Sequence, residues 1–137
     1  MRTFSMRITP LILLLSFVWA QESFRPLEID VRARIFQDSL LQVVVQVDNH
    51  TQRNITTLEG FLFITEPDGN ILQEVRMVLL HSYEPALPPG MSVSRSKQLS
   101  YQPGVKRAYY FQVGKVTFAN DYRIYTYHPA VGFFRID

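Results

Sequence analysis

The chain has 137 residues, a formal net charge of +2 and no cysteine. The lack of cysteine excludes disulfides, zinc–thiolate sites, iron–sulfur sites and thiol catalysis. The net charge comes from Arg2 and Arg7, because residues 21–137 carry twelve basic and twelve acidic side chains. The basic character of the whole chain is therefore no argument for nucleic-acid binding, and we predict none.

The first twenty residues have the pattern of a secretory signal peptide. A positive start and a short apolar run end in Val18 and Ala20, the small residues wanted before a cleavage site. The apolar run is about half as long as the roughly twenty residues that a bilayer span needs. We expect cleavage between Ala20 and Gln21 and no stable membrane span afterwards; an uncleaved anchor is the alternative. An exported domain without disulfides fits a bacterial periplasm or cell envelope, in soluble form.

Residues 21–137 are predicted to form one domain built of strands. Apolar residues alternate with polar ones from Leu27 to Ile35, which puts one face of a first strand against a core. A second strand follows the turn at residues 37–39. Its inward face runs from Leu41 to Val47, and Val44 interrupts the polar face, so we expect this strand to lie in the centre of a sheet.

The third and fourth strands are predicted over Thr57–Thr65 and Ile71–Leu80. The segment between them, Glu66-Pro-Asp-Gly-Asn70, is typical of a tight turn, because proline presets φ and Asp-Gly supplies the left-handed position. The two strands should therefore form a hairpin.

The segment His81–Gly90 contains three prolines and is predicted to cross between two sheets. Further strands are expected over Met91–Tyr101, Val105–Val113, Asp121–Tyr127 and Phe133–Asp137. Short strands at spacings near ten residues predict an all-β, immunoglobulin-like antiparallel two-sheet sandwich of seven to nine strands.

The middle of the chain resembles the FxLYD-type domains, bacterial immunoglobulin-like sandwiches of exported proteins. The matching stretches are a strand ending in Asn49, the segment Leu62-Phe-Ile-Thr-Glu-Pro-Asp-Gly69, and Leu87-Pro-Pro-Gly90 before a serine-rich strand. The apolar pattern and the spacing from acid to glycine agree, whereas the aromatic residues of the family motif are absent. The resemblance covers about half of residues 21–137 and implies the fold and an accessory or interaction role.

No pattern in the chain indicates catalysis, a metal or a cofactor. The histidines His50, His81 and His128 lack metal-ligand spacing, and the nucleophile-elbow, Walker and dinucleotide motifs are missing. We therefore predict no catalytic residues, no metal, no cofactor and no enzyme activity. The alternative is an enzyme. Its active site would have to begin from His81 and Glu84, two titratable residues that lie close together in the sequence.

Charge is divided along the chain. Residues 21–74 carry nine acids and four bases, and residues 75–137 carry three acids and eight bases. Opposite charges on neighbouring strands could compensate one another across the sheet. The alternative is a dipolar surface that orients a partner.

Aromatic residues crowd into the C-terminal third. Alternation over Asp121–Tyr127 places Arg123, Tyr125 and Tyr127 on the same face. Alternation leaves open whether this face is exposed or buried, and the same holds for Tyr110 one strand earlier. If that face is exposed, it forms an aromatic and cationic stripe of the kind enriched at binding hot spots. The alternative is a second buried face under the C-terminal strand.

The sequence thus predicts an exported, non-catalytic module for protein–protein interaction or envelope assembly, whose partner is another envelope protein. The binding residues are predicted to be Arg123, Tyr125, Tyr127 and Tyr110. The alternative is a periplasmic protein that binds a small ligand or glycan in a cleft between Tyr109–Phe111 and the loop Pro85–Gly90.

Overall fold

The computed structural model describes residues 25–137, so the predicted signal peptide lies outside the described residues. Within that range the chain forms eight strands and no helix. The strands are β1 (Leu27–Phe36), β2 (Leu40–Asn49), β3 (Ile55–Thr65), β4 (Ile71–Leu80), β5 (Ser92–Ser100), β6 (Ala108–Phe118), β7 (Tyr125–His128) and β8 (Gly132–Arg135).

The strands form two antiparallel sheets, which confirms the predicted two-sheet sandwich. The first sheet has the order β1-β2-β5 and the second has the order β4-β3-β6-β7-β8. The second strand lies in the centre of its sheet, as predicted. The proline-rich segment after β4 carries the chain from the second sheet to the first, which confirms the predicted crossing.

The core lies between the sheets and is built by alternation. In β2 every second residue from Leu41 to Asn49 is buried, and their partners in β1 and β5 share that inward face. The fully buried apolar side chains include Val43, Val45, Val47, Ile55, Leu58, Leu62, Leu79 and Val116. The sandwich therefore has one continuous apolar layer, as its alternating strands predict.

Two turns each contain a residue with a left-handed backbone conformation. In the hairpin between β3 and β4, the Glu66 N–H donates to the Asn70 carbonyl and the Glu66 carbonyl accepts from the Gly69 N–H; Gly69 has a φ of 99°. Between β1 and β2 the left-handed position is taken by Gln37, with a φ of 63°. Only the first of these turns places glycine where the backbone needs it.

The C-terminal strands differ from the predicted bounds. Strand β6 runs through Gly114 because a register shift near Gly60 and Glu59 of β3 accommodates it, so the glycine does not end the strand. Strand β7 starts only at Tyr125, because the Asp121 side chain folds residues 121–123 into a turn. The expectation of one strand over Asp121–Tyr127 is therefore wrong at its start.

Candidate functional site

The structure does not place the four predicted binding residues on one exposed face. Arg123 is exposed in the turn before β7, and Tyr110 is exposed on the outer face of the second sheet. Tyr125 is half-buried, and Tyr127 is 2% exposed and belongs to the core. The predicted exposed stripe of Arg123, Tyr125 and Tyr127 is therefore wrong.

Tyr127 is buried because its ring and its hydroxyl both find partners inside the sandwich. The ring packs against Phe133 of β8, with 5.0 Å between the ring centroids. The hydroxyl donates to the Leu27 carbonyl at 3.1 Å and accepts from the Leu27 N–H at 3.5 Å. A tyrosine whose hydroxyl is satisfied in this way can be buried without leaving an unpaired polar group.

Asp121 organises the turn that leads into β7. Its Oδ2 accepts from the Arg53 Nη2 at 2.9 Å and from the Tyr125 hydroxyl at 3.0 Å. Its Oδ1 accepts from the Arg123 N–H at 3.0 Å, which closes a turn of the kind that Asp favours. These bonds, with that from Arg53 as the strongest cause, lower the pKa of Asp121 to about 2. The carboxylate is thus a fixed, charged anchor.

An aromatic recess lies beside this anchor. It has a volume of about 330 Å³ and is lined by Phe118, Tyr125 and Phe133, with Pro26 and residues 51–53 as its rim. The rings of Tyr125 and Phe133 meet the ring of Phe118 edge-on at 5.6 and 5.3 Å. The Arg53 guanidinium lies over the Phe118 ring, 4.3 Å from its centroid. The recess is therefore mainly apolar, and its aromatic residues contact one another.

Tyr122 follows Asp121 in the turn before β7 and is 80% exposed. The guanidinium of Arg123 lies 5.8 Å from its ring centroid, and that of Arg135 lies 6.0 Å from it. We call Tyr122, Arg123 and Arg135 the cationic corner. An exposed tyrosine between two arginines offers the residue types that dominate binding energy at interfaces.

Tyr110 belongs to a different surface. Its ring stacks on Phe63 with 5.0 Å between centroids, and Phe61 follows at 6.5 Å from Phe63. These three rings lie on the outer face of β3 and β6, opposite the core. The structure therefore does not bring Tyr110 together with Arg123.

The structure also differs from the predicted ligand cleft, and it shows the contacts of His81 and Glu84. Loop residues Leu87 and Gly90 bond to Ile55 and Asn49, whereas Tyr109 lines a cleft between β4 and β5. The carboxylate of Glu84 is engaged by the Arg95 guanidinium and by the backbone N–H of His81. The cleft predicted between Tyr109–Phe111 and Pro85–Gly90 is therefore wrong, since the loop is held elsewhere.

One group of metal-ligand atoms comes together within residues 25–137. Glu28, Asp48 and His50 bring one ligand atom each to within 4.8 Å of one another at the outer face of β1 and β2. The Asp48 carboxylate already accepts from the hydroxyl of Ser92 and the amide of Gln46, and this lowers its pKa. The group is exposed and partnered, and we assign no metal to it.

Sequence reasoning missed several members of the site, among them Asp121, Tyr122, Arg53 and Arg135. The pair Asn120-Asp121 is a turn signal that could have indicated the break before β7. No local signal could have linked Arg53 to Asp121, which lies 68 residues further on.

Comparison with known proteins gives no family. No protein-family model and no curated protein match the chain, so the resemblance to FxLYD-type domains stays a prediction. The structural-genomics target SoR45 is similar in structure, with a TM-score of 0.49, 11% identity and 80% of each chain covered. A Bordetella pertussis protein with the provisional name ApaA gives a TM-score of 0.46 at 16% identity, with 82% of this chain and 87% of that chain covered. Similarity this distant carries no argument about function.

Within residues 25–137, the structure contains no helix that is long and apolar enough to cross a membrane.

Proposed function

We propose that this chain is an exported, non-catalytic interaction module that binds an envelope protein through the cationic corner and the aromatic recess. The observation that carries the proposal is the position of Tyr122. It is exposed between two guanidiniums, on a turn that the Asp121 hydrogen bonds hold in place. Such preorganisation lowers the entropy that binding costs.

The chemistry of the surface defines the partner. The recess accepts an apolar or aromatic side chain, because three rings line it. Arg123 favours an acidic group beside that side chain, since charge complementarity selects partners and steers encounter, whereas Arg135 is already paired with Asp137. The expected ligand is therefore a protein segment with an apolar or aromatic residue next to Asp or Glu.

Site-specific photocrosslinking in the cells that produce the protein tests this proposal. A benzophenone amino acid in place of Tyr122 should give one discrete protein adduct, whose crosslinked segment is acidic and contains an apolar residue. The matched control carries the same amino acid in place of Tyr83, which is 81% exposed and lies away from the corner.

Charge reversal tests whether the arginines recognise the partner. With the identified segment as a peptide, Arg123→Glu should weaken binding at least about tenfold, as expected for a hot-spot arginine. Arg34→Glu, an exposed basic residue of β1, should leave binding unchanged. Equal adducts from both crosslinking sites, or unaltered affinity of Arg123→Glu, would contradict the proposal. The mass of the purified protein reports the predicted cleavage before Gln21.

A further inference from the structure

Burial decreases toward one end of the sandwich. Along the inward face of β1, burial falls from Leu27, which is in the core, to Ile35, which is 58% exposed. On the same sheet and at the same end, β5 turns Lys97 and Leu99 toward the gap, because their partners in β2, Val43 and Leu41, face the core. The apolar layer therefore gives way to an opening between β4 and β5.

This opening is a cleft of about 320 Å³. Its apolar part is formed by Ile64, Val75 and Leu99, and its polar part includes Lys97, Arg107 and Tyr109. The volume is within the range of about 300–1,000 Å³ that small-molecule sites occupy. The cleft is distinct from the aromatic recess, because the two share no lining residue.

The charge of the cleft is uncompensated. Two cations line it and no carboxylate does. Among residues 25–137, neither Lys97 nor Arg107 takes part in an ion pair, whereas Arg95, their neighbour on the same side, is paired with Glu84. The two cations of the cleft therefore have no negative group to balance them, and a bound anion supplies one.

Arg107 also has one nitrogen atom that lacks a hydrogen-bond partner. Its Nε is buried and has no hydrogen-bond partner in the described part of the chain. Buried donors are nearly always paired, so an orphaned one needs an explanation. A guanidinium edge of this kind suits a carboxylate, which can accept two parallel hydrogen bonds once the side chain turns toward it.

Tyr109 adds a neutral donor on the wall of the cleft. Burial raises the pKa of its hydroxyl, although the charge of Arg107 acts in the opposite direction. The hydroxyl therefore stays protonated at neutral pH and can donate to an anion.

We propose that the cleft between β4 and β5 binds a small organic anion with an apolar body, as a medium-chain carboxylic acid presents. Lys97 and Arg107 meet the carboxylate, and Val75 and Leu99 meet the hydrocarbon. Lys97 has a competing role to consider. An inward-pointing lysine on an edge strand protects a sheet against edge-to-edge association. The two roles differ in what they predict for ligand binding.

Titration of the purified, ¹⁵N-labelled protein with sodium octanoate tests the proposal. Octanoate should shift the backbone amides of Lys97, Leu99 and Tyr109 saturably. Octanol has the apolar body without the charge, and acetate has the charge without the body. Each should bind at least about tenfold more weakly than octanoate, because each lacks one of the two contacts.

Substitutions separate this cleft from the cationic corner. Lys97→Gln and Arg107→Gln should each weaken octanoate binding at least about tenfold, the loss expected for a hydrogen bond to a charged group. Arg123→Gln, a basic residue of the corner, should bind octanoate like the unaltered protein. Since Lys97 is exposed on an edge strand, its variant keeps the fold and remains informative if the Arg107 variant does not fold.

Three outcomes would overturn the proposal. The first is the absence of saturable shifts in the cleft. The second is equal binding of acetate, which would make the cleft a site for charge alone. The third is unchanged octanoate binding by Lys97→Gln together with new self-association, which is the signature of edge protection. None of them bears on the photocrosslinking at Tyr122.

Discussion

Asn49 shows how one buried polar residue can hold several segments together. Its amide Nδ2 donates to the carbonyls of Arg53 and Leu87, at 2.9 and 3.0 Å. Its Oδ1 accepts from the N–H and the hydroxyl of Thr51. Its backbone bonds to Met91 and Gly90 on the crossing segment. The loop after β2 and the crossing before β5 are therefore tied to one side chain that has no exposed surface.

Replacement of Asn49 should destabilise the fold strongly. Asn49→Ala removes four side-chain hydrogen bonds from a buried position and leaves the Thr51 N–H without its acceptor, so the expected loss in the free energy of unfolding is about 2–4 kcal/mol. Urea denaturation measures this loss. The matched control is Asn54→Ala in the same loop, where the side chain is exposed and the expected change is within about 0.5 kcal/mol. A similar midpoint for both variants would contradict the role given to Asn49.

At the scale of elements, two glycines face each other across β3 and β6 and differ sharply in the space around them. A Cβ on Gly60 would lie 2.1 Å from the Gln112 carbonyl oxygen and 2.8 Å from the Phe111 ring. A Cβ on Gly114 would have its nearest neighbour, the Phe61 ring, at 3.6 Å. The register shift beside Gly60 thus brings two backbones together where no side chain fits.

We expect Gly60→Ala to disrupt the pairing of β3 with β6, because backbone atoms cannot move aside as a side-chain end can. The predicted loss is at least about 3 kcal/mol in the free energy of unfolding. Gly114→Ala should fold, since its new methyl group makes ordinary van der Waals contact. Circular dichroism and thermal denaturation of the pair provide the test, and a folded Gly60→Ala with an unaltered melting temperature would contradict it.

The elements also show what the sequence alone can predict. Strict alternation located β1 and β2, and the Pro-Asp-Gly turn located the β3–β4 hairpin, because both signals are local. The continuation of β6 past Gly114 depends on a register shift in β3, which no local pattern reveals. The start of β7 is set by an aspartate whose main partner, Arg53, comes from another loop.

In the candidate site, too, some features follow from local sequence patterns and others depend on contacts between distant residues. The exposure of Arg123 agrees with the prediction, although the residue lies in the turn before β7 and not on a strand face, and its role in binding stays a prediction. Tyr127 could not be assigned correctly, because alternation fixes which residues share a face and leaves open which face is inside. The contact of its hydroxyl with Leu27, 100 residues away, decides that question.

At the scale of the whole molecule, the acidic and basic halves of the chain are partly interleaved. Arg53 of the acidic half pairs with Asp121 of the basic half, and Arg76 of the basic half pairs with Glu59 of the acidic half. The cations of the β4–β5 cleft have no such compensation. Pairing between the two halves agrees with the first expectation, and a dipolar surface that orients a partner stays a prediction.

The acid response of the fold should follow from the carboxylates that the folded chain stabilises. The pKa of Asp121 is lowered from 3.8 to about 2, mainly by the Arg53 hydrogen bond, and those of Asp48 and Asp137 are also lowered. A group with a depressed folded pKa stabilises the fold above its unfolded pKa and loses that contribution as pH falls through its folded pKa. Stability should therefore decline between about pH 4 and pH 2.

Asp121→Asn tests the assignment of that decline. The variant should be less stable at neutral pH, and its midpoint of urea unfolding should change less between pH 4 and pH 2 than that of the unaltered protein. Asp38→Asn, in the exposed turn after β1, is the control and should keep the original slope. Identical slopes for both variants would remove Asp121 as a source of the acid response.

The hydrogen bonds of Asn49 have a consequence for where this protein can be produced. Asn49-His50-Thr51 and Asn54-Ile55-Thr56 both have the acceptor pattern for N-linked glycosylation, which modifies the amide nitrogen. At Asn54 that amide is exposed, and the folded sandwich leaves room for a sugar. At Asn49 the same nitrogen is buried and donates twice, so a glycan added there before folding would keep the loop from closing. Secretion from yeast or animal cells should therefore yield a misfolded fraction glycosylated at Asn49, and bacterial expression avoids it.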